Sequence, residues 1–428
     1  MQPDDLHVIV VSRAAAPFHE IGGLERHVEH LAAHLLRRGL RVTLVTRPPV
    51  RPLPGGHDRS DRLTVRFVPY RTFPLAGRRG TTVIDRSTAY LWFGRRAGRL
   101  AADLVRGGGV QIVHGMGAAA LGYAGARLAD RLETVPFVFN PHGMEEFGSA
   151  GTGFGLVKRA AYAPLRRAVR RSARAADRVI ATDRALVPAV VAHLRVPEAR
   201  VAVVPNAVDL DAIDRQAAAA PAEALRRSVG LPAGGVLLLG VGRLEANKGF
   251  DRLVSAVAQL SSLPSSALAK ENWRLVLIGD GPARASIEQR AAASGLGGSV
   301  ILPGRADEAA LHAWYEAATL FVHPTRYEGS SIVTLEAMAH RRAVVASAAG
   351  GIPDKVHPGV NGWLVPPGDE RALAAAIDEA LTNRERLASM GSAGRAIVER
   401  SFSWQAAVDR TIELYLDVLQ GHGRRPHP

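Results

Sequence analysis

One pattern constrains this chain more than any other: apolar runs of strand length alternate with segments of helical spacing, and the alternation is laid down twice. In the first half His7–Ser12, Arg41–Thr46, Leu63–Pro69, Val110–His114, Pro136–Phe139, Arg178–Thr182 and Val201–Val204 read as strands. Between the first two, Leu24, Val28, Leu31, Leu35 and Leu36 repeat with helical spacing and Gly39 closes the helix. In the second half the strands are Val236–Val241, Arg274–Ile278, Val300–Pro303, Leu320–His323 and Ala343–Ala346. Helices are expected over Phe250–Leu260, Ala283–Ser294, Glu308–Ala317, Ser331–His340, Glu370–Thr382 and Thr411–Leu419. Strands buried on both faces and separated by helices build doubly wound parallel sheets, so the fold class is α/β. At 428 residues the chain is too long for one ordinary domain, and two are expected. The break falls after Val204-Pro205-Asn206-Ala207-Val208, giving domains 1–208 and 209–403. Residues 421–428 read as a disordered tail, and the Pro-, Gly- and Arg-rich stretch 71–86 as a mobile surface loop.

The chain has no cysteine, which excludes disulfides, thiolate nucleophiles and zinc–thiolate sites. Met1-Gln2-Pro3-Asp4-Asp5 has neither a basic nor an apolar leader segment, and no run has the apolar length of a membrane span. A cytoplasmic enzyme is therefore expected. The net charge of +14 is uneven: residues 1–200 carry 31 Lys+Arg against 16 Asp+Glu (31 − 16 = +15), and the remainder 23 against 24 (23 − 24 = −1). A basic half attracts anionic lipid, nucleic acid or phosphorylated acceptors; it is also simply soluble. Phe154–Ala175 carries Lys158, Arg159, Arg166, Arg167, Arg170, Arg171 and Arg174 without an acid, interleaved with apolar residues and interrupted by Pro164. It reads as a helix on an anionic membrane or as a solvated face beside the core.

Candidate chemistry gathers where strands end. Tyr327-Glu328-Gly329-Ser330-Ser331-Ile332 links a strand to a helix, and Ser330 or Ser331 can cap that helix and leave N–H groups free for an anion. Glu328 and Glu336 bracket this position. Eight residues apart, they are separated by roughly 12 Å if helical, too far to share one proton or one metal and beyond a glycosidase pair. They suit two ends of an extended ligand. Arg243 and Lys248, in Gly242-Arg243-Leu244-Glu245-Ala246-Asn247-Lys248-Gly249, follow another strand, and a fork plus a point charge suits a diphosphate. In the first half, Gly22-Gly23 opens a helix after the first strand, and His142 follows a strand end. Asp209-Leu210-Asp211 has the spacing of a Mg²⁺-binding pair but lies in the interdomain connection, where it reads as turn and helix-cap chemistry.

Together these residues resemble the retaining family 4 glycosyltransferases, whose E-x7-E signature corresponds to Glu328-x7-Glu336. The likeness extends to Gly22-Gly23-Leu24-Glu25, Val204–Asp209, Gly242-Arg243 to Lys248-Gly249, Ile278-Gly279-Asp280-Gly281-Pro282, Leu335–Ala339 and Gly350-Gly351-Ile352-Pro353. It implies the GT-B fold: two doubly wound Rossmann-like domains facing each other across a cleft. The first would bind the acceptor and be rejoined by a C-terminal helix over 404–420; the second would bind a nucleotide-diphosphate sugar, UDP- or GDP-linked, with no metal or other cofactor. By resemblance Arg243 and Lys248 hold the diphosphate, and Glu328 with Gly329, Ser330, Ser331 and Ile332 holds sugar and phosphate. Glu336 binds the ribose, Gly242, Gly304 and Arg305 line the nucleotide pocket, Gly22-Gly23 covers the phosphates, and His142 lies near the donor sugar. Many relatives carry Phe-Gly where this chain has Ser330-Ser331, so the donor sugar stays open. The acceptor is lipid-linked, carbohydrate or small-molecule; an anionic membrane surface is a further expected partner, at the inner face, and nucleic acid is not. An epimerase, a phosphorylase-like enzyme or a non-catalytic binding protein of similar build is the alternative.

Overall fold

A computed structural model of the protein describes residues 6–19, 23–49, 61–72, 81–130, 135–142, 144–147 and 156–423. They form two compact units, residues 1–204 with 407–428, and residues 205–406.

The first unit is built on a seven-stranded sheet of β1 (His7–Val11), β2 (Arg41–Thr46), β3 (Leu63–Phe67), β4 (Ile112–Met116), β5 (Phe137–Asn140), β6 (Arg178–Ala181) and β7 (Val201–Val203). The order is β3-β2-β1-β4-β5-β6-β7, every pair parallel. The chain winds outward from β1 in one direction and then from β4 in the other, so the order reverses between them. Loops leaving the carboxyl ends of β1 and β4 diverge there, which opens a crevice where ligands can bind. The last helix, Trp404–Gly423, returns to this unit: the hydroxyl of buried Tyr415 shares a 2.6 Å hydrogen bond with Nδ1 of buried His114 on β4. Arg38 pairs with Asp409, and Arg178 with Asp417.

The second unit has six strands, β8 (Val236–Val241), β9 (Trp273–Ile278), β10 (Val300–Gly304), β11 (Leu320–His323), β12 (Val344–Ser347) and β13 (Gly362–Val365). Their order is β10-β9-β8-β11-β12-β13, again all parallel. Alternate side chains of β8 serve opposite cores, Val236 and Leu238 on one face and Leu237, Leu239 and Val241 on the other. That is why the run reads as continuously apolar rather than alternating. Four helices here start on the same device, a side-chain oxygen accepting the N–H three residues on: Asp209 from Ala212, Asp307 from Ala310, Ser331 from Thr334 and Asp369 from Ala372. Asp209 is thus the cap that its position suggested.

Several elements depart from the sequence reading. Residues 81–86, expected as part of the surface loop 71–86, lie in the helix Thr81–Ser87, while 73–80 lie outside the described residues. The basic segment is two helices, Leu156–Ala161 and Ala163–Ala175, broken at Tyr162, because Pro164 cannot donate to a preceding turn. Its residues 154–155 lie outside the described set. The final helix continues through Gly423, into the stretch read as a tail; residues 424–428 lie outside the described set. The helices Leu210–Ala218 and Leu387–Ser401 and the strand β13 were not anticipated. No described helix is long and apolar enough to cross a membrane.

Candidate active site

In the second unit the strand order reverses between β8 and β11. The loop after β8 carries Arg243 and Lys248, and the loop after β11 carries Glu328. Because these strands are neighbours, residues distant in sequence meet at one carboxyl edge.

Glycines set the spacing of this edge. Gly249 has φ +69°, and a Cβ on it would lie 2.2 Å from the Pro324 carbonyl oxygen. The β8 loop can therefore lie flat against the β11 loop, where the Asn247 carbonyl accepts from the Arg326 N–H at 2.7 Å and from the Thr325 hydroxyl at 3.1 Å. Gly242 has φ +155°, and Gly279 after β9 approaches it so closely that a Cβ would sit 1.9 Å from the Gly242 carbonyl oxygen. Gly279 in turn donates to the Gly304 carbonyl at 2.8 Å. The ends of β8, β9 and β10 thus form one continuous backbone floor. Arg305 extends from it into solvent.

On this scaffold Lys248 Nζ lies 2.7 Å from Glu328 Oε2, both side chains largely buried. His323, the last residue of β11, donates from Nε2 to the same oxygen at 2.9 Å. Burial alone would raise the Glu328 carboxyl, but the His323 hydrogen bond and the Lys248 charge outweigh it and hold the group at about 2. Burial pushes the fully enclosed His323 ring below its ordinary value of 6.5. The ring is therefore neutral, with its proton on Nε2, and its Nδ1 has no hydrogen-bond partner among the described residues. The carboxylate is countered by one charge, that of Lys248, and oriented by a neutral donor.

Arg243 is placed differently. Its side chain is 77% exposed and reaches Glu245 at 2.8 Å. The two expected cations thus differ: one is locked to the Glu328 loop, the other is held loosely at the surface of the same loop.

Beyond Glu328, Ser331 caps the helix Ile332–Ala339 through Thr334, whose N–H reaches Ser331 Oγ at 3.4 Å. The buried Ser330 Oγ has no partner among the described residues. A Cβ on Gly329 would meet nothing within 4 Å, so the loop backbone is open on that side. The turn after β12 braces it from behind: the Gly351 N–H donates to the Gly329 carbonyl at 2.9 Å. Glu336 stands on the same helix and accepts a 2.9 Å hydrogen bond on Oε2 from the hydroxyl of buried Tyr315.

In the first unit Gly23 begins the helix Gly23–Arg37 and has open space where a Cβ would be, whereas Gly22 lies outside the described residues. His142 follows β5 with φ +50°, its N–H held by Asn140 Oδ1 at 3.0 Å. Its ring centroid is 5.1 Å from that of His27, which comes from the helix that Gly23 opens. Burial first, then the neighbouring imidazoles of His142 and His114, hold His27 well below its ordinary value. Among the described residues, Lys248 and Glu328 are thus joined in the second unit, and in the first His142 lies against the helix that Gly23 opens.

Sequence reasoning did not single out His323, Tyr315 or His27. His323 carried one legible signal, a polar side chain closing an apolar strand; for the other two only the packing of distant elements supplies it.

Known proteins resemble this chain over nearly all of its length. The sequence model of glycosyl transferases group 1 matches residues 221–397, and that of glycosyltransferase family 4 matches residues 21–212. D-inositol 3-phosphate glycosyltransferase 1 of Catenulispora acidiphila is 30% identical over 423 residues, which cover 95% of this chain and 93% of that protein. Among solved structures, sucrose-phosphate synthase from Thermosynechococcus elongatus superposes with a TM-score of 0.70 at 24% identity, over 97% of this chain and 100% of that one. Anabaena HepE in complex with UDP-glucose superposes with a TM-score of 0.65 at 20% identity, over 96% and 100%.

Proposed function

Because the chain belongs to the family 4 glycosyltransferases and has their GT-B fold, we propose that it moves a sugar from a nucleotide-diphosphate sugar to an acceptor hydroxyl with retention at the anomeric carbon. The observation that carries this reading is the Lys248–Glu328–His323 cluster at the reversal point of the second sheet. It sets a cation and a fixed, ionised carboxylate beside a capped helix start with open backbone.

In this reading the second unit binds the donor. Lys248 and Arg243 take the diphosphate, on which negative charge grows as the glycosidic bond breaks. The N–H groups of Gly329 to Ile332 and the unpartnered Ser330 hydroxyl take the remaining phosphate oxygens and sugar hydroxyls. Glu336, oriented by Tyr315, accepts from the ribose, and the floor at Gly242, Gly304 and Arg305 meets the base. Glu328 is committed to Lys248 and His323 as an anion, so it positions sugar hydroxyls rather than attacking carbon. The departing phosphate then takes the acceptor proton on the face it leaves, which retains configuration. Two cations and a helix start make a metal unnecessary, and the Asp209 carboxylate is occupied as a cap. The first unit, with His142 beside the Gly23 helix, receives the acceptor. The name of the Catenulispora relative makes D-inositol 3-phosphate the first acceptor to try, and the HepE complex makes UDP-glucose the first donor.

The test is a thermal-shift panel of UDP-, GDP- and ADP-sugars, followed by transfer assays with the stabilising donor and NMR of the product anomer. A raised melting temperature with one nucleotide class and a product of unchanged configuration are expected. An inverted product would overturn the retaining reading, and no stabilisation by any nucleotide sugar would overturn the donor reading.

A further inference from the structure

The arginines of the first unit are not equivalent. In the helix Ala163–Ala175, Arg166 is tied to the carbonyls of Glu146 and Arg159, and Arg170 to the carbonyl of His193 with its guanidinium over Phe147. These side chains brace the fold. The helix Ala89–Arg106 is different. One stripe, including Leu91, Phe93, Ala97, Ala101 and Val105, is buried. The opposite stripe, Trp92, Arg95, Arg96 and Arg99, is exposed and follows the i, i+3, i+4, i+7 rule of a single helical face. Trp92 is 59% exposed, with the Arg96 guanidinium 4.5 Å from its ring. Among the described residues no carboxylate pairs with Arg95, Arg96 or Arg99, while Asp103, one turn beyond Arg99, is taken by Arg106 at 2.7 Å.

Two further exposed residues lie upstream, across the break between the helices Thr81–Ser87 and Ala89–Arg106: the Thr88 hydroxyl donates to the Ile84 carbonyl at 2.6 Å, and the Trp92 N–H donates to the Thr88 carbonyl at 3.0 Å, which holds Ile84, Thr88 and Trp92 at spacings of four residues. Ile84 is 42% exposed. An exposed aliphatic side chain and an indole at one end, with three unpaired guanidinium groups beyond, form an amphipathic sequence that water does not reward. The headgroup layer of an anionic bilayer does: indole prefers the interface, arginine pairs with lipid phosphates, and isoleucine enters the acyl boundary. A nucleic acid would want further aromatic faces for stacking, and Ile84 offers none.

We propose that the face Ile84–Thr88–Trp92–Arg95–Arg96–Arg99 docks the first unit on an anionic lipid surface. This face is proposed ahead of the exposed Arg167, Arg171 and Arg174 of the other helix and does not depend on the donor chemistry.

The test uses the full chain and co-sedimentation with vesicles of phosphatidylcholine alone or with phosphatidylglycerol. Binding is expected only to the anionic vesicles and to weaken with salt. Each arginine at an anionic surface is worth on the order of fivefold in partitioning, so combining R95E, R96E and R99E weakens binding by roughly a hundredfold or more. Trp92→Phe removes a blue-shifted component from the vesicle-induced emission change. Combining R167E, R171E and R174E on the other helix has a smaller effect than the first triple. Circular dichroism checks that every variant is folded. Absence of binding by the unmodified chain overturns the proposal. So does a greater loss in the second triple than in the first, or an equal Trp92 shift with soluble polyglutamate.

Discussion

Lys248 Nζ and Glu328 Oε2 meet at 2.7 Å across 80 residues of sequence. The contact exists because β8 and β11 are neighbours, and it makes the cation proposed to meet the phosphates and the carboxylate proposed to meet the sugar one mechanical unit. Arg243 lies on the same loop without that bond. Lys248→Met and Arg243→Ala should therefore separate function from stability. Both lower kcat/KM by about 10²- to 10³-fold if each meets the growing phosphate charge. Only Lys248→Met also destabilises, by about 1–3 kcal/mol, because it leaves the Glu328 carboxylate with its histidine alone. Arg243→Ala, at an exposed position, stays within about 0.5 kcal/mol of the parent. Urea unfolding beside steady-state kinetics reads both quantities.

The depressed Glu328 carboxyl gives a defined pH window. The folded protein favours the ionised form, at about 2 against the ordinary 4.5. Its stabilisation is therefore complete above the unfolded value and is lost as pH falls from there toward 2. The gap corresponds to about 3 kcal/mol. Unfolding free energies of the parent chain and of Glu328→Gln should differ most near neutrality and converge with acidification through that window. A difference that stays constant across it would show that Glu328 is not held as an anion.

Gly350 has φ +53°, and a Cβ there would fall 1.7 Å from the Glu328 carbonyl oxygen. Nothing at that position can yield except the loop itself. Gly350→Ala should displace Glu328, lowering turnover by at least about tenfold for a shift near 1 Å. Far-UV circular dichroism is expected to be unchanged, because the loop lies outside the strands and helices of its own unit.

Tyr315→Phe removes one hydroxyl that donates to Glu336 and keeps the ring that fills the core. If Glu336 grips the ribose, the donor KM should rise about five- to tenfold for the loss of about 1 kcal/mol, with kcat nearly unchanged. A fall in kcat at constant KM would place Glu336 in the reaction rather than in binding.

Much of this was legible beforehand because parallel strands buried on both faces announce themselves. Val236–Val241, Leu320–His323, Glu308–Ala317 and Glu370–Thr382 lie where the pattern put them. The helix Leu387–Ser401 was hidden by its own packing device. Gly391 and Gly394 lower its helical signal, yet a Cβ on Gly391 would lie 2.0 Å from the Arg341 carbonyl oxygen, and one on Gly394 would lie 3.5 Å from Met338. Those glycines let the helix press against its neighbour. For the site, spacing within one loop was readable, as with the Ser331 cap. Pairing between loops was not. That Lys248 and His323 share one oxygen of Glu328 follows from strand order, which side-chain periodicity does not encode. The separation of a bound lysine, Lys248, from a loose arginine, Arg243, has the same origin.

The packing of Tyr415 onto His114 has a consequence for how the chain is made. The unit that begins with the first strand is finished only by the last helix, because residues 407–428 belong to it. During synthesis the second unit, residues 205–406, has its full complement of residues while the first still lacks a piece of its wall. Translation from the amino end ordinarily lets the leading domain mature first; here the second unit is made in full before the first, which waits for Tyr415 to reach His114.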